Sequence, residues 1–133
     1  MINKIPINPR LGTAQLDKLT AKKFNELMLY QTPITLTDEP TVKWDVRKGY
    51  NATLTLKGNR TLRLDQVTKG DYGTIEIIQD AIGNRALQIP SNSKVSGAGA
   101  GTLALSSIGG SIDIATFYYN GVTFYWSLSK NFT

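Results

Sequence analysis

The sequence predicts a mainly β protein: an antiparallel β-sandwich or jelly roll preceded by a short N-terminal arm and helix. Three observations predict it. From Thr35 onward apolar and polar residues alternate with period two, the signature of half-buried strands. Gly and Asn punctuate these runs at short intervals, as tight turns require. One helical stretch, closed by Pro33, precedes them.

Residues 1–12 contain Pro6, Pro9 and Gly12 and read as an extended arm. In "LTAKKFNELMLYQTP", Thr20 is a good N-cap, and Phe24, Leu27, Met28 and Gln31 fall on one helical face. A helix of about three turns is marginal alone, so this one is expected to dock on the rest of the chain, a sister chain or another protein. The chain therefore divides into an arm and helix, 1–32, and a β domain, 33–133.

Within the β domain, "TVKWDV", "ATLTLK", "RTLRLD", "TIEIIQ", "RALQIP", "TLALS", "SIDIATFYY" and "VTFYWSL" read as strands. A short phrase occurs twice, as "GNRTLRL" from Gly58 and "GNRALQI" from Gly83. Each copy is expected to turn an antiparallel hairpin. A three-residue loop at Gly58–Arg60 pairs Leu56 with Leu62 and Leu54 with Leu64, which puts four leucines on one face. The second copy likewise pairs Ile77 with Leu87 and Ile75 with Ile89. Two copies fall short of the three or so repeats that a solenoid needs.

Asn120-Gly121 predicts a closing type I′ hairpin with Phe117 opposite Phe124 and Ala115 opposite Trp126. Ala115, Phe117, Val122, Phe124 and Trp126 then face the core. Ile112, Ile114, Tyr118 and Tyr125 share the opposite face, which is too apolar to be left to water. That face covers the other sheet, meets a sister subunit or binds a ligand.

Composition excludes several chemistries. The 133 residues include no Cys and no His, so disulfides, thiol nucleophiles and Ser–His–Asp or Cys–His catalysis are absent. No apolar run is long enough for a membrane helix, and the first residues do not read as a secretory signal. Net charge is +5, with the basic residues scattered as on a solvated surface. "GAGAG", residues 97–101, is followed by a strand-like run and lacks the helix and Lys-Ser/Thr of a nucleotide loop. A glycosidase would need two carboxylates on one cleft, for which Asp45, Glu76 and Asp113 are candidates, but most acids sit at turns. "KWDVRKGY" interleaves aromatic and basic residues as nucleic-acid binders do, and a Lys-guarded strand edge accounts for it equally. Trp44 and Tyr50 are the candidate sugar-stacking aromatics, with core packing the favoured reading of Trp44. No enzyme, metal, cofactor or nucleic-acid role is expected.

The run from Gly49 to Pro90 resembles the small β-sandwich modules of bacteriophage virion proteins, found in head fibres, tail fibres and receptor-binding tips. The matching features are Trp44, the Gly58-Asn59 corner, Gly70-Asp71-Tyr72-Gly73, Gln79-Asp80, Gly83, Pro90 and Tyr125-Trp126. The closing segment "IDIATFYYNGVTFYWSLSKNFT" is similar to the last strands of such modules. The resemblance covers about two-thirds of the chain. It implies a homotrimer, with Ile112, Ile114, Tyr118 and Tyr125 suited to the subunit contact, and it carries over no catalytic residue. The initiator Met suggests a complete short gene product. The expectation is thus a structural component of a virion, assembled in the bacterial host cytoplasm: a head fibre, decoration protein or short tail appendage. Its arm and helix would anchor it to capsid or tail through Ile5, Arg10, Phe24, Leu27 and Met28. The alternative expectation is a receptor-binding tip that attaches to host-surface glycans.

Overall fold

The computed structural model describes residues 20–26, 31–97 and 101–133. Residues 20–26 are helical, and all of their side chains are exposed, Phe24 included. The other four proposed anchor residues, Ile5, Arg10, Leu27 and Met28, lie outside the described residues.

The rest is mainly β, in nine strands among the described residues: β1 (Ile34–Thr35), β2 (Thr41–Asp45), β3 (Asn51–Leu56), β4 (Arg60–Asp65), β5 (Tyr72–Gln79), β6 (Leu87–Gln88), β7 (Ser93–Val95), β8 (Ile112–Tyr119) and β9 (Phe124–Phe132). They form a six-stranded sheet, β1-β3-β5-β8-β9-β7, and a three-stranded sheet, β2-β4-β6. Both are mixed or parallel where the sequence predicts antiparallel pairing. From β1 to β6 the chain alternates between the sheets, and every ladder it makes there is parallel. Each circuit lays one strand on each sheet, so the described residues 34–88 are three stacked coils.

This arrangement corrects the two predicted hairpins. Leu54 and Leu56 pair with Ile77 and Gln79 of the next coil, while Leu62 and Leu64 pair with Val42 and Trp44 of the previous one. The leucines do face one core, but from two sheets. The recurring "GNR" phrase marks corners that stack: the Arg60 N–H donates to the Ala86 carbonyl (2.9 Å), and Asn59 Oδ1 accepts the Ala86 N–H (2.9 Å). Strand parity is identical in the two arrangements, which is why the facing was predicted correctly and the partners were not.

Charge locks the corners. Arg60 forks onto Asp38 (2.8 and 2.9 Å), and Arg85 onto Asp80 (3.2 and 2.8 Å). The Arg60 hydrogen bonds hold the Asp38 carboxyl below its usual range, and Arg85 does the same for Asp80. Gly83 sits at positive φ (77°), and a Cβ there would come within 2.3 Å of the Ser107 carbonyl oxygen, so only glycine fits. That close approach joins the 80–84 corner to the 107–110 loop.

After β6 the topology changes. β7 adds to the far edge of the six-stranded sheet, parallel to β9. β8 then runs antiparallel to β5, and β9 antiparallel to β8. The predicted strand "TLALS" makes only an isolated bridge, Gln88 with Thr102. The closing hairpin exists, but its register is two residues from the predicted one: Tyr119 pairs with Phe124 and Phe117 with Trp126. Asn120 Oδ1 accepts the N–H groups of Val122 (2.9 Å) and Thr123 (2.7 Å), which shapes a four-residue loop in place of the I′ turn. Val122, predicted in the core, is consequently 73% exposed.

One hydrophobic cluster joins both sheets. Leucine and isoleucine dominate between the coils, and Trp44, Phe117, Phe124 and Trp126 fill the other end. Phe117 lies 5.4 Å from Trp44 edge-on and 5.4 Å from Trp126. Both indole N–H groups are satisfied, by the Gly49 carbonyl (2.8 Å) and the Ser93 hydroxyl (3.0 Å).

Candidate functional site: the outer face of the six-stranded sheet

Alternation along β5, β8 and β9 sends every second side chain outward. The ladders set these in rows across the strands. Tyr72 lies opposite Tyr118, Tyr118 opposite Tyr125, and Tyr125 opposite Lys94 of β7. Tyr50, just before β3, extends this row: its ring centroid is 5.8 Å from that of Tyr72. The next row is Thr74, Thr116 and Ser127, and the one after it Glu76, Ile114 and Ser129. The last row is Ile78, Ile112 and Phe132.

The face therefore has a tyrosine end, a hydroxyl band and an aliphatic end. Tyr72, Tyr118 and Tyr125 are 65%, 49% and 44% exposed, and Phe132 is 48% exposed. Ile78, Ile112 and Ile114 are half-buried. Ile82 and Ile108, on the two joined loops next to the aliphatic end, are also largely exposed.

Ile112, Ile114, Tyr118 and Tyr125 thus do share one outward face. Tyr72 belongs with them, although sequence reasoning missed it. Its outward parity with Glu76 was legible, but its neighbour Tyr118 follows only from the β5–β8 pairing. The two proposed sugar-stacking aromatics separate. Trp44 is fully buried against Phe117, so its ring faces are closed to any ligand. Tyr50 is half-buried and joins the tyrosine row.

Electrostatics around the row are one-sided. Asp71 is paired with Arg47. Burial raises the Asp71 pKa, but the Thr68 backbone N–H and Arg47 more than offset this and hold its carboxyl below the usual range. Lys94 is exposed and has no carboxylate partner among the described residues. Lys69, also exposed, packs beside Gly121 of the β8–β9 loop. The outer face of the three-stranded sheet is different in kind: Lys43, Asp45, Thr61, Arg63, Asp65 and Gln88 point to water, and Arg63 bonds Asp65 at 2.9 and 3.0 Å.

The three strand acids do not converge. Asp45 faces outward on the three-stranded sheet, and Glu76 outward on the six-stranded one, bonded to the Thr53 hydroxyl (2.9 Å). Asp113 is buried, where it accepts from Ser106 N–H (2.6 Å), Ser106 Oγ–H (2.7 Å) and Asn131 N–H (2.8 Å). No group of three or more acids suited to a metal occurs among the described residues. A groove of about 370 Å³ runs beside Ile34, Leu36, Lys43, Asp45 and Asp65, and its paired walls of both charges select for no one ligand sign.

Comparison with protein-family models and with curated proteins finds no match for this chain.

Proposed function

We propose that this chain is a non-enzymatic structural component of a bacteriophage particle: a head fibre, decoration protein or short tail appendage. In this reading residues 1–32 anchor it to capsid or tail, and residues 33–133 form a two-layer β-sandwich that trimerises. The observation that carries the reading is the aliphatic end of the outer face. Ile78, Ile112, Ile114 and Phe132 make an apolar patch on a protein whose other sheet face is polar throughout, and such patches mark contacts. Ile112 and Ile114 form the centre of the subunit contact, with Tyr118 and Tyr125 toward its rim. The resemblance of residues 49–90 and of the closing strands to virion modules supplies the biological setting.

Two experiments test it. Sedimentation of the full chain yields a trimer mass, and Ile112→Glu with Ile114→Glu yields a monomer; a wild-type monomer refutes the contact. Deleting residues 1–32 abolishes incorporation into particles while the β circular-dichroism signal persists. Particles that still incorporate the truncated chain refute the anchor.

A further inference from the structure

We propose that the row Tyr50–Tyr72–Tyr118–Tyr125, ending at Lys94, is a binding platform for an acidic oligosaccharide. The assignment deepens the reading of an outward-projecting module by naming a ligand class and its residues, and it requires Tyr118 and Tyr125 to stay open at the rim of the subunit contact.

Neighbouring strands are about 4.8 Å apart, so the three tyrosines of β5, β8 and β9 span roughly 10 Å, and Tyr50 lengthens the row by about one further ring. This is the footprint of an extended oligosaccharide of a few units. Tyrosine rings at this spacing suit the C–H faces of successive pyranoses. Sheet register fixes the spacing of the row.

The second observation is the row next to it. Thr74, Thr116 and Ser127 lie in register along the inner side of the tyrosines, with Thr116 and Ser127 exposed. A ligand lying on the rings meets hydroxyl donors and acceptors along one edge. A sugar has that amphipathic pattern, apolar on its faces and hydroxylated on its rim. A protein partner's apolar core would instead favour the aliphatic end, and the hydroxyl band separates the two.

The third observation fixes the charge. Lys94 closes the row on its Tyr125 side without a carboxylate partner among the described residues. Asp71, beside Tyr72, is paired with Arg47, and Glu76, bonded to the neutral Thr53 hydroxyl, lies two rows away. The row thus favours a saccharide that bears a carboxylate over a neutral one.

The test titrates the full chain with a hexuronate tetramer, a sialylated trisaccharide and a neutral hexose tetramer, followed by ligand-observed NMR and calorimetry. At least one acidic probe binds, and more tightly than the neutral tetramer. Tyr118→Ser with Tyr125→Ser weakens that binding by roughly tenfold or more. Lys94→Gln removes most of its salt dependence. Absence of binding by both acidic probes, equal binding of the neutral tetramer, or acidic binding unchanged in the double tyrosine variant each overturns the assignment. Sedimentation of the same samples reads the subunit contact separately, so a trimer that binds no sugar and a monomer that does are distinct results.

Discussion

The stacked coils of β1–β6 and the closing ribbon of β7–β9 are held together by different means. The coils are parallel, lined with leucine and isoleucine, and fastened at their corners by Arg60–Asp38 and Arg85–Asp80. In the ribbon, β8 and β9 are antiparallel, the interior is aromatic, and an asparagine side chain shapes its turn. Phe117 and Trp44 meet where the two regions join. The difference shows that one alternating pattern supports both architectures. Connections between strands, and not the strands themselves, decide which is built.

Substitutions can act at the seam between the two regions or within one of them. Phe117→Ala removes the ring that touches Trp44, Phe124 and Trp126. It is expected to cost about 3–5 kcal/mol and to loosen coils and ribbon together, read by denaturant titration and near-ultraviolet circular dichroism. Leu54→Ala empties a site wholly inside the coils and costs about 2–5 kcal/mol. The aromatic near-ultraviolet signal should persist below its transition, because the ribbon interior is untouched. A variant that lost this signal in buffer would show the two regions to be one cooperative unit.

The corner ion pairs make the coils sensitive to acid. Asp38 and Asp80 have folded-state pKa values below their unfolded ones. Their contribution is therefore complete above the unfolded carboxylate value, about 3.9, and is lost as pH falls through the lower folded values. Thermal midpoints should hold steady from neutral pH down to about 5 and drop below about 4. Asp38→Asn with Asp80→Asn should lower the neutral midpoint by less than Leu54→Ala does and flatten the acid limb. The smallest effect is expected outside both interiors. Tyr118→Ser should change stability by no more than about 0.5 kcal/mol, so any loss of ligand binding in it reports on the surface alone.

Much of the fold was legible because period-two alternation declares which side chains turn inward, whatever the partner strand. Leu54, Leu56, Leu62, Leu64, Ile75, Ile77, Leu87 and Ile89 are all buried as that pattern requires. Pairing was hidden because the coils are unequal. Ile34 stands opposite Ala52, Leu54 opposite Ile77 and Arg60 opposite Leu87, so no fixed period runs through the chain. Even the repeated "GNR" phrase is offset from the true register at its own corner. The Asn120-Gly121 turn was legible as a turn, but its length depended on where the Asn120 side chain found its donors. At the candidate site, the outward set Ile112, Ile114, Tyr118 and Tyr125 came from local parity. Tyr72 and Lys94 required pairings between distant strands. Trp44 shared the inward parity of Val42, and its depth became certain only with Phe117 packed across it.

The reversed direction of β8 has a consequence for how such a chain can grow. A backward-running strand terminates the parallel series, so another copy of the β3–β4 circuit cannot simply be appended after β6. It can be spliced in ahead of Tyr50 and β3, where both neighbours are already parallel. Each such splice would move the whole tyrosine row outward by one strand width, about 4.8 Å, without disturbing its internal spacing. Length and recognition would then be independent variables, one set by duplication and the other by the terminating ribbon.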